Sequence, residues 1–264
     1  MHEVIDHLGR NVILPHSPKR IISICPAITE TLFSLGLEKE VIGRTKYCIF
    51  PKGTVDQVPI VGGTKEVDFE KVKALQPDLI FAEKEENTKE MVLELEKIAP
   101  VFVLEVKSIL DAYRLITTLG EATKTTETAN LLLTSCQRSF QSVVGKENGK
   151  AAYVIWRKPY MVVGGNTYIN DVLHQMGYQN PFTNEGSRYP VVTKGQLANA
   201  QLDKLFLASE PFPFQQKHLT EFQSFLPHTE IILVDGEMFW YGSRMLVAGE
   251  YLAELVIKSE DLWS

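Results

Sequence analysis

Apolar residues recur along the chain in a regular beat of short runs and spaced stripes. RIISI (20–24) is a brief apolar run of the kind buried parallel strands show, and PAITETLFSLGL after it puts Ile28, Leu32 and Leu35 on one helical face, with Gly36 as the stop. VIG (41–43), DLIFA (78–82) and VFVLE (101–105) read as further strands, and FEKVKALQP and TKEMVLELEKIAP as helices between them. Strands and helices alternating at this length predict a parallel sheet covered by helices. From Ser108 to Val144 the stretch is helix-compatible except at Gly120, with Ala129, Leu132, Leu133, Cys136 and Phe140 along one stripe. GKENGK breaks it. The beat then resumes with AAYVIW (151–156), a helix around INDVLHQMG, LFLA (205–208), a helix from Gln215 to Phe225, IILVD (231–235) and a closing helix MLVAGEYLAELVIK.

This pattern predicts an α/β protein of two Rossmann-like lobes with parallel-rich sheets joined by one long helix: an amino-terminal lobe over 1–120, a bridging helix over 121–147 and a carboxyl-terminal lobe over 148–264. An internal repeat supports the division. EKVKALQPDLIFA (70–82) and GQLANAQLDKLFLA (195–208) each give a helix, a glutamine, one residue, an aspartate and an apolar strand, with Gln76 and Asp78 matching Gln201 and Asp203 at a constant offset. One stretch stands apart. In EMFWYGSR (237–244) three rings in succession precede a glycine and a cation, and strand alternation would send Trp240 to the face opposite Phe239 and Tyr241. Such a run needs a core, a partner or a ligand.

Composition narrows the classes. The 264 residues, 44 % hydrophobic, suffice for a sizeable core, and a net charge of −6 without clustered Lys and Arg argues against a nucleic-acid surface. Three cysteines, Cys25, Cys48 and Cys136, lack CxxC spacing, so neither a disulfide framework nor a zinc knuckle is indicated. Cys25 and Cys48 both fall in loops, and a bond between them is the alternative to two thiols. No apolar run reaches the length of a membrane span, and MHEVIDHLGR has no apolar signal core.

Catalytic signatures are absent: no GxSxG elbow, no GxxxxGK[ST] loop, and SICPAITE where a GxGxxG turn would stand after the first strand. The glycine pairs at 62–63 and 164–165 read as turns permitting positive φ. The six histidines show no i, i+4 pairing, His174 reads as a surface residue of an amphipathic helix, and Cys25 before Pro26 as a small structural residue. Neither enzyme nor resident metal is expected. What stands out is a set of segments assigned to the carboxyl ends of strands: TKYCIFP (45–51), GGTKE (62–66), WRKPYM (156–161), SRYPVVT (187–193), SEPFPF (209–214) and EMFWYGSR. Rings with scattered cations at one sheet edge suit a large, flat, partly apolar ligand.

DHLGRNVILPHSPKRIISICPAITETLFSLGL, VDFEKVKALQPDLIFA, VVGGNTYINDVL, LASEPFPF and DGEMFWYGSR together resemble the substrate-binding proteins of ABC importers that carry cobalamin, haem and ferric siderophores, most nearly the cobalamin branch. The resemblance covers essentially the whole chain and implies a ligand cleft between the lobes. Carried over by position, it makes Tyr47, Arg157, Met161, Tyr189, Phe239, Trp240 and Arg244 ligand contacts. Thr64 stands where that branch would have a tryptophan. Members dock to their permease through one surface glutamate on each lobe: Glu70 matches the first, whereas the repeat offset puts Gly195 at the second, beside Lys194, with Glu185 and Glu210 as substitutes. The implied partners are a metal chelate and an ABC permease with its ATPase, the implied state a monomer, and the implied location periplasmic or extracellular-facing; if Met1 is the native start, it is cytoplasmic. Two alternatives stay open. Arg44, Arg157, Arg188 and Arg244 facing inward would suit a polyanionic siderophore or haem, and the same fold could serve a cytoplasmic tetrapyrrole enzyme or sensor.

Overall fold

The first residues of the chain pair with each other, which their sequence does not announce. In the computed structural model, which describes residues 1–260, β1 (His2–Ile5) and β2 (Asn11–Leu14) form an antiparallel hairpin. Its turn is closed by Asp6, whose carboxylate accepts the amides of Leu8 and Arg10 at 2.9 Å each. The expected alternation follows as β3 (Ile21–Ser23), α1 (Pro26–Ser34), β4 (Val41–Arg44), α2 (Phe69–Ala74), β5 (Leu79–Glu83), α3 (Lys89–Leu95) and β6 (Val101–Leu104). These strands make an all-parallel sheet in the order β4-β3-β5-β6. Ile22, Ile80, Val101 and Val103 of the sheet and Val72, Val92 and Leu95 of the helices share one buried cluster, the burial expected of parallel strands covered by helices.

The helical stretch is divided, where the sequence reads as one helix over 121–147. α4 (Ile109–Thr123) ends at Lys124, which takes a left-handed φ of +62°, and α5 (Thr126–Phe140) begins afresh. Gly120 is where α5 meets α4: a Cβ there would lie 2.3 Å from the Cβ of Ala129. A residue that looks like a weak point of one helix is the contact between two.

The chain divides into two compact units, the first made of Met1–Val106, Asp111–Cys136 and Gly242–Arg244, the second of Lys107–Leu110, Gln137–Tyr241 and Met245–Ser264. α5 therefore carries the chain from one unit into the other. In the second unit β7 (Ala151–Trp156), β8 (Tyr160–Val162), α6 (Tyr168–Gln175), β9 (Val191–Val192), α7 (Lys194–Asn199), β10 (Lys204–Ala208), α8 (Gln216–Gln223), β11 (Glu230–Val234) and α9 (Met245–Glu260) follow. The sheet order is β11-β10-β7-β8-β9; the first three strands are parallel, and β8 runs antiparallel to both of its neighbours. Leu205, Leu207, Val154, Phe222 and Leu226 lie in its core.

The repeat seen in the sequence is a repeat of backbone geometry. Asp68 caps α2 by accepting the amide of Lys71, and Thr193 caps α7 by accepting that of Gln196. Gln76 and Gln201 both end their helices in the left-handed region, at φ +46° and +52°. Asp78 accepts the amides of Lys19 and Arg20 at 2.8 and 3.0 Å, and Asp203 that of Lys150 at 2.7 Å. Every matched pair is 125 positions apart. Of the glycine pairs, Gly62 has the expected positive φ, +134°, whereas Gly164 and Gly165 do not. A Cβ on either would sit 2.6 Å from a carbonyl, of Ser187 and Thr183 respectively, so close backbone approach is what requires them. Among the described residues no helix is long and apolar enough to cross a membrane.

Candidate functional site

The loops leaving the strands of the first unit are held by buried polar groups. Arg44, only 5 % exposed, closes its loop by donating to the carbonyls of Val55 (2.8 Å), Thr45 (3.3 Å) and Cys48 (3.0 Å). Its other end lies 3.7 Å from Asp56. The Cys48 thiol receives the Thr29 hydroxyl at 3.1 Å and lies 3.2 Å from that of Thr45; burial pushes it up, and it forms no disulfide with Cys25. Asn87 ties three segments together, donating to the carbonyls of Ile24 (3.1 Å) and Thr64 (2.8 Å) and accepting the amide of Glu83 (2.8 Å). Glu83 ends β5 and is 1 % exposed. Burial pushes its carboxyl up to about 7; the amides of Glu86 and Glu85, which donate to Oε2, pull the other way without overcoming it.

Tyr47 rises from this knot, 51 % exposed, with the Lys46 ammonium 5.1 Å from its ring centre and its Cε2 3.4 Å from where a Cβ of Gly63 would be. Thr64 is buried on the next residue. Arg244 belongs to the same unit. Its guanidinium carbon stands 3.6 Å over the ring of Phe50, three residues past Tyr47. Nε donates to Glu30 at 3.1 Å, and Nη2 lies 2.7 Å from the other carboxylate oxygen, an ion pair without hydrogen-bond alignment. Glu70, on the first turn of α2, is exposed.

Rings hold the loops of the second unit. The EMFWYGSR run forms two short 3-10 turns, Gly236–Phe239 and Gly242–Arg244, so strand alternation does not govern it. Phe239 is 3 % exposed, its ring 4.7 Å from that of Tyr153; Tyr241 meets Tyr168 edge-on at 5.7 Å; the Trp240 indole N–H donates to Glu210 Oε1. The Tyr153 phenol is raised well above its usual range by burial first, then by the charge of Glu210. Arg157 is joined to Glu221 at 2.6 and 2.7 Å, and the Tyr160 hydroxyl donates to the other oxygen of that carboxylate. Burial alone would raise Glu221, but these two donors outweigh it and hold the carboxyl below its ordinary value. Burial and this carboxylate together push Tyr160 up to about 12.

Met161 lies opposite Trp156 in the β7-β8 pairing, next to Arg157 at the carboxyl end of β7. Tyr189 is elsewhere. The Gly164 and Val162 amides donate to the carbonyls of Arg188 and Pro190, so Tyr189 enters β9 alongside the far end of β8 rather than at the edge marked by Arg157. The antiparallel β8 is the reason, because the edge assignment took every strand as parallel. Sequence reasoning also missed Glu30, Phe50, Asn87 and Glu221. Their partners lie 214 residues away for Arg244–Glu30 and 64 for Arg157–Glu221, beyond any local pattern. A cavity of about 310 Å³ in the first unit, lined by Val4, His7, Phe102, Arg114, Thr118 and Glu121, lies between the amino-terminal hairpin and α4.

Comparison with known proteins places this arrangement. The family model described as periplasmic binding protein matches residues 21–230. The chain belongs to the periplasmic binding protein family. Among curated relatives it is 28 % identical over 187 residues to the uncharacterized ABC transporter substrate-binding lipoprotein YvrC of Bacillus subtilis, a match covering 66 % of this chain and 59 % of that protein. It is 26 % identical over 198 residues to the vitamin B12-binding protein of Vibrio parahaemolyticus, covering 71 % and 70 %. Solved structures share the fold: the haem-binding protein BhuT with two haems (TM-score 0.78, 19 % identity, 92 % and 99 % covered) and the vitamin B12-binding protein BtuF of Vibrio cholerae (0.74, 18 %, 93 % and 99 %). The petrobactin-binding protein YclQ of Bacillus subtilis also matches (0.77, 19 %, 98 % and 98 %). These are two-lobe α/β binding proteins with a connecting helix, the class the sequence resembles.

Proposed function

We propose that this protein is the substrate-binding component of an ABC importer and captures cobalamin or a related corrinoid for delivery to a permease and its ATPase. The fate of the arginines carries this reading. Three of the four cations that would serve a polyanionic ligand are committed inside their own unit: Arg44 to three carbonyls, Arg157 to Glu221, Arg244 to Glu30 and Phe50. Turning them toward a ligand would leave buried partners unsatisfied. Rings remain for contact, with Tyr47 exposed and Trp240 half-buried. A corrinoid, broad and rimmed with neutral amides, suits that surface better than a haem with its propionates or a ferric catecholate.

On this reading Tyr47 in the first unit and Met161 and Trp240 in the second are offered to the ligand, while Phe239 packs on Tyr153, Arg244 on Phe50, and Tyr189, off that edge, is not counted among the contacts. The relatives' names favour cobalamin, since several are called vitamin B12-binding proteins. Docking to the permease uses Glu70; at the corresponding point Gly195 offers no charge. The protein works as a monomer outside the cytoplasmic membrane. Titration calorimetry with cyanocobalamin, haem and a ferric catecholate siderophore tests the ligand: one-to-one binding of cobalamin alone is expected, and preference for either anionic chelate overturns it. Glu70→Lys is expected to leave that affinity unchanged while lowering uptake in cells; a parallel fall in affinity would remove Glu70 from docking.

A further inference from the structure

The loop after β10 places a carboxylate against Trp240. Glu210 receives the Trp240 indole N–H on Oε1, which fixes the plane of a ring expected to face the ligand. The loop is built around it. Gly236 has no Cβ where one would lie 2.6 Å from Glu210 Cγ, and the Gly236 amide donates to Ser209 Oγ at 2.9 Å, holding the turn after β11 against the residue preceding Glu210. Asp235 caps that turn and Glu237 follows, so the ends of β10 and β11 bring three acidic residues together. Arg157, the cation at the end of the adjacent strand β7, is already neutralised by Glu221.

We propose that Glu210 determines specificity, resting on the corrinoid reading above: it orients Trp240 for stacking and sets a negative charge beside that ring which disfavours anionic chelates. The two roles separate by substitution. Gln keeps an oxygen for the indole N–H and removes the charge; Ala removes both.

The test is calorimetric titration of wild type, Glu210→Gln and Glu210→Ala with cyanocobalamin and with haem. Glu210→Gln is expected to hold cobalamin affinity within about twofold and to raise haem affinity by about tenfold, while Glu210→Ala lowers cobalamin affinity by about tenfold. Unchanged haem affinity in Glu210→Gln overturns the charge role, and unchanged cobalamin affinity in Glu210→Ala overturns the orienting role. Wild type that fails to bind cobalamin counts against the corrinoid reading instead; the Glu210→Gln to wild-type ratio for haem then still decides the charge role.

Discussion

The two units run the same helix-turn-strand module and finish it differently. α2-β5 and α7-β10 share a side-chain cap, a left-handed glutamine and an aspartate that holds a backbone amide of a neighbouring strand's approach. Beyond the strand the likeness stops. The first unit knots its loops with buried polar groups around Arg44, Glu83 and Asn87, and the second stacks rings, from Tyr153 on Phe239 to Trp156 on Phe212 and Phe212 on Phe214. Backbone geometry that local side chains enforce is kept, while the loops beyond the strands diverge. The position proposed for docking shows the same division, with Glu70 on α2 and Gly195 on α7.

That contrast can be broken at several points. Asn87→Ala removes three hydrogen bonds from the polar knot and strands buried carbonyls, so a loss of about 4 kcal/mol is expected by calorimetric melting; a loss below 1 kcal/mol would mean the knot does not hold the loops. Glu83 makes the knot sensitive to pH. Its folded value of about 7 stands above the 4.5 of an unperturbed carboxyl. Its contribution is therefore present at pH 4.5 and below and is lost as pH rises through 7, by about 3 kcal/mol at most. Melting across pH 4 to about 8 should show this decline in wild type and a flatter profile in Glu83→Gln; parallel profiles would contradict the assignment.

In the second unit, Trp240→Ala is expected to weaken corrinoid binding by about 2 kcal/mol, as for a buried ring anchor, and unchanged affinity takes Trp240 out of the site. The smallest effect sharpens the comparison. Gly195 has a right-handed backbone, and a Cβ there meets nothing nearer than Thr193 Oγ1 at 3.9 Å. Gly195→Glu should therefore raise stability by about 1 kcal/mol, from helix propensity and an acid in the first turn. A destabilised variant would show that α7 is not the counterpart of α2.

Much of the scaffold was legible because burial on both faces writes continuous apolar runs: DLIFA, AAYVIW and IILVD each became a strand within a residue of its expected bounds. The short strands were not. β9 has two residues, β1 and β2 pair only with each other, and β8 follows β7 after three residues, so none carries a long pattern. The break at Lys124 escaped because threonine and lysine are tolerated inside a helix as well as at its end. For the site, aromatic loops could be picked out by composition, but whether an arginine there faces a ligand depends on a carboxylate brought by the fold. Arg244 looked available until Glu30 was placed beside it.

The central claim is that an aromatic site, with three of its four arginines committed to internal partners, holds a neutral ligand. The direct test is calorimetric titration with cyanocobalamin at low and at high ionic strength. One-to-one binding whose affinity changes less than about twofold with salt is predicted, because a neutral ligand forms no ion pair for salt to screen. Absence of binding, or affinity that falls steeply as salt rises, would contradict the account.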